Sequence, residues 1–583
     1  MSNKTKIFFT ATSDRPWWQL IFGDCALASV VLISVVFSPL STVVGSPMVD
    51  VWNHMWGSWW WFDALSQGML PWETTLLQYP DGGTLWFIDP VLAILGLPFA
   101  GFSPTLAYNI GIWIYLAFAS WTARRFAISL GSAPSSSWIA SITVVCSAWM
   151  LSEISNGITE AVNIGPVALA MAWTEDACRG QNDKQSPMLW LKAGLGVGLA
   201  TMASPYLGLG VGVVVAVRTL TSFHQTWKWS WLGGLTSIVV ASPTLLLFRL
   251  QLEATNAIIK RPDGMNDSLA LHNAVDPRTF IAPFGFQSVD LTDEGFVHSM
   301  YLGIFALFFA VRAIKDHKGW AFAGVISMLC ALGPYLYWGD GWVMTSGARL
   351  RLPWFMLQQM ASGLAVTHPL RLGVPTLAIV GGFAAVSLTT PYWLDRIRTI
   401  GILIAIDGLL ISGAPFPLST ASSTIPGVYE LVEQDPRDVG VLDLPTDSGS
   451  NMMASKYLYW QSYHNKGIPY APDVRASTSS LLNNTAFRRL AALCTRRADE
   501  HQRLGLHNRS PGSTDPRTLS SQGYGWIVLH KNIDPTVYQQ LLEVLQADLG
   551  AGLTIDDATI WRLETQSTAA PKSTSPQYPT KRQ

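Results

Sequence analysis

The sequence predicts a polytopic α-helical membrane protein with a small α/β domain near its C-terminal end, and three observations carry that prediction. Of 583 residues, 49% are hydrophobic and 13% charged, roughly half the charged share of an ordinary soluble protein. Apolar runs of about 20 residues, the length that crosses a bilayer's hydrocarbon core, recur between Phe22 and Pro415. The 26 Trp, 24 Phe and 16 Tyr suit aromatic belts at two membrane interfaces, where an amphipathic ring settles at headgroup depth. A mean hydropathy of +0.26 is modest for a wholly embedded chain, so a water-facing part must dilute the spans.

Lys4, Lys6 and Arg15 precede an apolar run from Phe22 to Val44. That run is longer than a signal-peptide core and lacks a small-residue cleavage site, so it reads as a retained first span with a cytoplasmic N-terminus. Further spans are expected near 105–126, 134–151, 158–174, 187–204, 205–222, 229–250, 296–313, 319–338, 369–390 and 399–415, about eleven in all. Arg124 and Arg125, Arg179 and Lys184, Arg218 and Lys228, Arg312 to Lys318, and Arg396 with Arg398 then all fall on the cytoplasmic side. The apolar piece from Leu85 to Phe102 is short and broken by Asp89, Pro90, Gly96 and Pro98, so it is expected to lie in the interface.

An odd number of spans sends everything after Pro415 outside. The expected organisation is a membrane domain over 1–418 with a long first outer loop at 46–104, an extracytoplasmic α/β domain over 419–564, and a disordered tail over 565–583. In the outer domain Val439–Leu444 and Trp526–His530 read as strands, and Leu481–Ala498 and Pro535–Leu549 as helices. The tail is rich in Ser, Thr, Pro and Gln. The expected location is the plasma (bacterial inner) membrane.

Composition also excludes. A net charge of -1 gives no bulk attraction to nucleic acid. Cys25, Cys146, Cys178, Cys330 and Cys494 are too widely spaced for a zinc motif, and neither a disulfide framework nor a Cys-based metal site is indicated. No Walker loop, dinucleotide fingerprint, HExxH or GxSxG supports nucleotide-dependent or hydrolase chemistry.

The sharpest signal is Asp50-Val-Trp-Asn-His54-Met-Trp-Gly-Ser-Trp-Trp-Trp-Phe-Asp63, directly after the first span. On a helix, Asp50, His54 and Gly57 share one side, with Trp52, Trp56, Trp59 and Trp60 largely opposite. Lying in the interface, such a helix buries its indoles among lipid and neighbouring helices and turns Asp50 and His54 toward a water-filled cleft. Asp50 reads as a reactive carboxylate or as a helix cap. The pair Asp50 and His54 lacks the further ligands a metal needs, so no metal or other cofactor is expected.

Here the chain resembles the GT-C superfamily of membrane glycosyltransferases. The resemblance rests on a retained first helix, an acidic residue just beyond it in a long outer loop with interfacial helices, about a dozen spans, and an outer C-terminal domain. It implies a GT-C type fold and a polyprenyl-phosphate-linked sugar donor, and it gives Asp50 the role of catalytic base or acceptor-positioning group. The family often has two adjacent acidic residues there; this chain continues with Val51 and Trp52.

Transfer of a sugar from a lipid phosphate needs a carboxylate for the acceptor proton and cations for the leaving phosphate. Arg371 and the Lys260–Arg261 pair are the expected phosphate ligands, with Arg278, Arg349 and Arg351 as further outer-loop cations. A bidentate phosphate or a structural carboxylate, Glu153 or Glu160, would equally satisfy Arg371. Glu160, Asp89 and His54 are expected to contact the sugar or the acceptor, which is a glycan, lipid or protein. The aromatic string Tyr457-Leu-Tyr-Trp460-Gln-Ser-Tyr-His464-Asn-Lys466 suits either sugar stacking or a domain core. The rival readings are a transporter or lipid flippase, and a catalytically silent GT-C-like assembly protein.

Overall fold

The computed structural model describes residues 17–47, 50–85, 89–180, 186–254, 256–258, 265–283, 298–339, 341–360, 366–446, 453–471, 479–494, 513–531 and 534–564. The phosphate-ligand pair at 260 and 261, and the expected tail, lie outside them.

In chain order the main elements are α1 (Trp17–Val31), β1 (Thr42–Val44), α2 (Val51–Ser66), α3 (Pro90–Ala100), α4 (Pro104–Ser129), α5 (Trp138–Val145), α6 (Ala148–Asn156), α7 (Thr159–Val162), α8 (Gly165–Arg179), α9 (Ser186–Ala203), α10 (Pro205–Leu220) and α11 (Phe223–Glu253). There follow α12 (Ile304–Ala310), α13 (Lys318–Ala331), α14 (Pro375–Ser387), α15 (Ile397–Ile406), β2 (Thr420–Ser422), α16 (Val428–Glu433), β3 (Gly440–Leu444), α17 (Met453–His464), β4 (Tyr524–His530), α18 (Pro535–Leu549), β5 (Leu553–Ile555) and β6 (Ala558–Arg562). This is a polytopic membrane fold. Among the described residues three stretches are long and apolar enough to cross a bilayer: Trp138–Asn156, Thr226–Gln251 and Pro369–Ser387. The first and third are 89% buried and the second 17%, so two lie at the centre of the bundle and α11 turns most of its apolar surface outward.

Local chemistry sets the boundaries. Ser103 accepts the Leu106 N–H and Pro104 occupies the first helical position, which starts α4. Ser147 accepts the Met150 N–H and divides Trp138–Asn156 into α5 and α6. Gly157, at φ +73°, closes α6 in the left-handed conformation.

The C-terminal part is built on a four-stranded sheet of order β5-β6-β4-β3, with β3 and β4 parallel and the other pairs antiparallel. α16 and α18 pack against the sheet, and Trp460 of α17 meets His530 of β4 at 4.6 Å. The aromatic string runs along α17, and Tyr457, Trp460 and His464 are all buried. His530 stands 3.0 Å from Asp443 beneath them, so the string builds a core.

The first loop is stitched to this part. β1 pairs antiparallel with β2, and Asn109 of α4 holds β1 by accepting from Val44 N–H at 3.1 Å and donating to the Thr42 carbonyl at 2.8 Å. The Tyr79 N–H donates to Ile468 O at 2.9 Å and the Ile468 N–H to Leu76 O at 2.8 Å. The Tyr79 ring lies where side chains on Gly440, Gly467 or Gly523 would overlap it, and it meets Tyr524 edge-on at 5.5 Å. On α2, Trp52 stacks on Tyr459 at 5.3 Å and the Trp56 indole donates to Gln461. Trp52 and Trp56 thus meet a neighbouring helix, α17, one of the two surroundings expected for the indole face.

Tyr79→Ala empties that cradle. The expected loss is about 3 kcal/mol, read as a lowered unfolding temperature together with faster proteolysis between residues 67 and 89. Unchanged cleavage would show that Tyr79 does not anchor the loop.

Candidate functional site

The polar residues of the first loop, the α6–α7 turn and the segment before α14 meet at one end of the bundle. The turn comes first because it sets the approach. The Ser46 N–H donates to Ser155 O at 2.8 Å and the Asp50 N–H to Asn156 O at 3.2 Å. A side chain at Gly157 would overlap the backbone of Val51, so the loop can seat there only over a glycine.

Asp50 occupies the residue before α2 but its side chain makes no capping bond to the helix. Asn53 Nδ2 donates to its Oδ1 at 3.1 Å. The carboxylate is half-buried, on the rim of a cluster that is otherwise sealed. With Asp89 and Glu160 it lies close enough to the Tyr108 hydroxyl to act on it electrostatically.

Below the rim runs a continuous chain of contacts. Asp89 is 0% exposed and Glu160 3%. Asp89 Oδ1 accepts from the Leu92 N–H at 3.0 Å and the Tyr115 hydroxyl at 2.8 Å. Thr159 donates to Asp89 Oδ2 at 2.7 Å. With that proton committed, the Thr159 oxygen accepts from His54 Nδ1 at 2.9 Å. His54 Nε2 then stands 3.4 Å from Glu160 Oε2. Arg371 Nη1 donates to Glu160 Oε1 at 2.9 Å, and the guanidinium lies 5.3 Å from the Tyr206 ring. Beside this chain, His298 Nδ1 lies 2.7 Å from Glu153 Oε1.

Burial pushes the Asp89 carboxyl up from 3.8 to about 7, against the hydrogen bonds that stabilise its ionised form and with help from nearby Glu160. Arg371 Nε, Glu153 Oε2 and Glu160 Oε2 are among the buried atoms here that have no hydrogen-bond partner. A buried guanidinium with a free donor can take one further anionic oxygen.

Of the residues singled out from the sequence, His54, Asp89, Glu160 and Arg371 thus join one network and Asp50 stands at its edge. Of the two partners open to Arg371, the structure shows the carboxylate of Glu160. Arg278 is engaged by Asp276 at 2.7 Å, Arg349 lies over Trp342 and Arg351 over Phe355. Thr159, Tyr115 and His298 were not foreseen. Thr159 adjoins Glu160 and could have been suspected; Tyr115 and His298 carry no local pattern. No group of three His, Cys, Asp or Glu side chains suited to a metal occurs among the described residues.

A helical membrane body with its first loop docked on a small C-terminal sheet is a fold shared with solved structures of low sequence identity. The arabinofuranosyltransferase AftD from Mycobacteria superposes with TM-score 0.55 at 12% identity, over 90% of this chain and 37% of that one. ArnT from Cupriavidus metallidurans, in the apo state, gives 0.51 at 12% identity over 95% and 99% of the two chains. The chain thus spans little more than a third of AftD and nearly all of ArnT. No family model matches the sequence, and no curated protein does.

Two outcomes follow. Arg371→Gln leaves Glu160 buried without its partner and should cost about 3–5 kcal/mol, whereas Glu160→Met with Arg371→Met should recover most of it; thermal unfolding of the three proteins decides. Asp89, raised from 3.8 to about 7 in the fold, binds more protons native than unfolded between those values, so its contribution is present at low pH and lost as pH rises through about 7. The unfolding temperature of the wild type minus that of Asp89→Asn should therefore fall between pH 4 and pH 7; a flat difference would assign Asp89 an ordinary pKa.

Proposed function

We propose that this protein transfers a glycosyl group from a polyprenyl-phosphate-linked sugar to a glycan, lipid or protein acceptor at the outer face of the membrane. We read about eleven crossings, a cytoplasmic N-terminus, and an extracytoplasmic domain over 419–564 that closes over the first outer loop. The observation that carries the reading is the placement of Asp50: a half-buried carboxylate at the mouth of a buried Glu160–Arg371 pair that keeps a donor free. The GT-C fold shared with AftD, an arabinofuranosyltransferase, supports it.

In this reaction Asp50 takes the proton of the acceptor hydroxyl as its oxygen bonds to the anomeric carbon. The bond from that carbon to the phosphate oxygen breaks, and the phosphate leaves with the electron pair. Arg371 Nε, with Lys260 and Arg261, meets the developing negative charge; Glu160 keeps Arg371 aimed. His54 contacts the sugar or acceptor from beside Glu160. Asp89, fully buried, acts through Thr159 to fix the His54 ring. These cations can neutralise the phosphate without a metal.

The test is transfer from a panel of radiolabelled polyprenyl-phosphate sugars in membranes of matched protein content. Asp50→Asn should lower transfer about 100-fold or more, the contribution of a general base. Equal transfer by the variant would remove Asp50 as base, and no transfer by the wild type from any donor would remove the enzyme reading.

A further inference from the structure

At the end of the bundle away from the C-terminal sheet, a cavity of about 520 Å³ opens between the end of α8, the end of α10 and the start of α13. The transfer site makes no use of it. α8 begins a few residues after Glu160 and runs 15 residues to Arg179, about 22 Å at the helical rise, so the two sites lie at opposite ends of this helix, most of the way across a hydrocarbon core of about 30 Å.

Its construction is specific. Glu175 is 1% exposed and acts as a post: Arg179 Nε donates to one oxygen, and Arg218 Nε, at 2.9 Å, and the Trp320 indole, at 2.8 Å, donate to the other. The post spends one negative charge and fixes two guanidiniums on the cavity wall, and Lys318 adds a third cation. Asp316, exposed at the rim, is the opposing charge. The wall also includes the first turn of α13, whose His317 makes no side-chain cap. Burial first, then the positive charge of Arg179 and Arg218 against the opposing Glu175 and Asp316, holds His317 below its usual 6.5.

An apolar track leaves the cavity along α13. Phe322 lines the rim at 54% exposed, followed by Val325 at 47% and Leu329 at 38%, three residues on one helical face. A soluble phosphate would have no use for that track; an acyl chain would lie along it. We propose that this cavity binds the phosphate headgroup of an anionic glycerophospholipid from the leaflet opposite the C-terminal domain, with an acyl chain on the Phe322–Val325–Leu329 face. Cationic pockets between membrane helices are suited to such headgroups, and a lipid wedged there would brace α8, α10 and α13 against one another.

The test is native mass spectrometry of the full-length protein with dioleoyl phosphatidylglycerol, with dioleoyl phosphatidylcholine, and with glycerol 3-phosphate as competitor. Phosphatidylglycerol should be retained over phosphatidylcholine and resist glycerol 3-phosphate. Lys318→Gln and Arg179→Gln should each lower retention on the order of five-fold, Lys318→Arg should keep it, and Phe322→Ser should weaken it. Both cations are solvent-facing, and variants are compared at matched unfolding temperature. Equal retention of the two lipids, or no effect of the Gln variants, overturns the site. Displacement by glycerol 3-phosphate with Phe322→Ser silent overturns the lipid in favour of a soluble phosphate compound.

Discussion

A carboxylate and a guanidinium held together out of water, Glu160 and Arg371, set the terms for everything at this end of the helical bundle. Each charge alone would be costly to bury; the 2.9 Å contact between them, with His54 beside Glu160, offsets part of that cost and leaves Arg371 Nε and Glu160 Oε2 without hydrogen-bond partners. Glu160 comes from the short turn after α6, and Arg371 from the segment before α14. Their contact therefore fixes how two central, 89% buried spans sit at that end. His54 reaches the same carboxylate from α2, which brings the first loop into register with both.

That loop is held from two sides. On the bundle side its backbone bonds to Ser155 and Asn156 across Gly157. On the other, α2 and the Tyr79 turn pack on α17 and the sheet edge. The C-terminal part is thus the back wall of the helix that carries Asp50 and His54. Pre-organisation of this kind matters for group transfer, where small displacements of a base or a charge clamp are expensive in rate. It also explains the tryptophan density of α2: an aromatic face contacting a folded surface, with indole N–H groups bonded to Gln461 and to Pro71 O, is more rigid than one left among lipid tails.

The helical membrane character was legible because composition and apolar run length are strong, additive signals. Helix ends were less so. The segment expected as one span near 134–151 runs on to Asn156 and is split where Ser147 caps a new helix, a choice made by one hydroxyl. At the site, residue type and loop position singled out Asp50, Asp89, Glu160 and Arg371, since ionisable groups in or beside spans are rare and need partners. The partners themselves were hidden. Tyr115 faces Asp89 only because α3 folds back on α4, and His298 meets Glu153 across 145 residues of sequence; periodicity cannot report such contacts. The Trp face was only half legible for a related reason, since an apolar stripe does not say which apolar surface, lipid or neighbouring helix, will cover it.

The distribution of buried charge bears on what the bundle is for. Asp89, Glu153 and Glu160 gather at one end, and Asp24 with Arg124, and Glu175 with Arg218, at the other. A transporter is expected to carry ionisable groups along a path between such ends, with helices broken around a central site. Asp407, buried apart from both clusters, could suggest one. Its oxygens, however, accept from the Tyr301 hydroxyl at 2.8 Å and from the Phe305 N–H at 3.2 Å, the first turn of α12. It thus satisfies a helix start that the membrane interior could not hydrate. With Asp407 engaged by local structure, the buried charges named here gather at the two ends of the bundle, and no described acid among them marks a path between those ends.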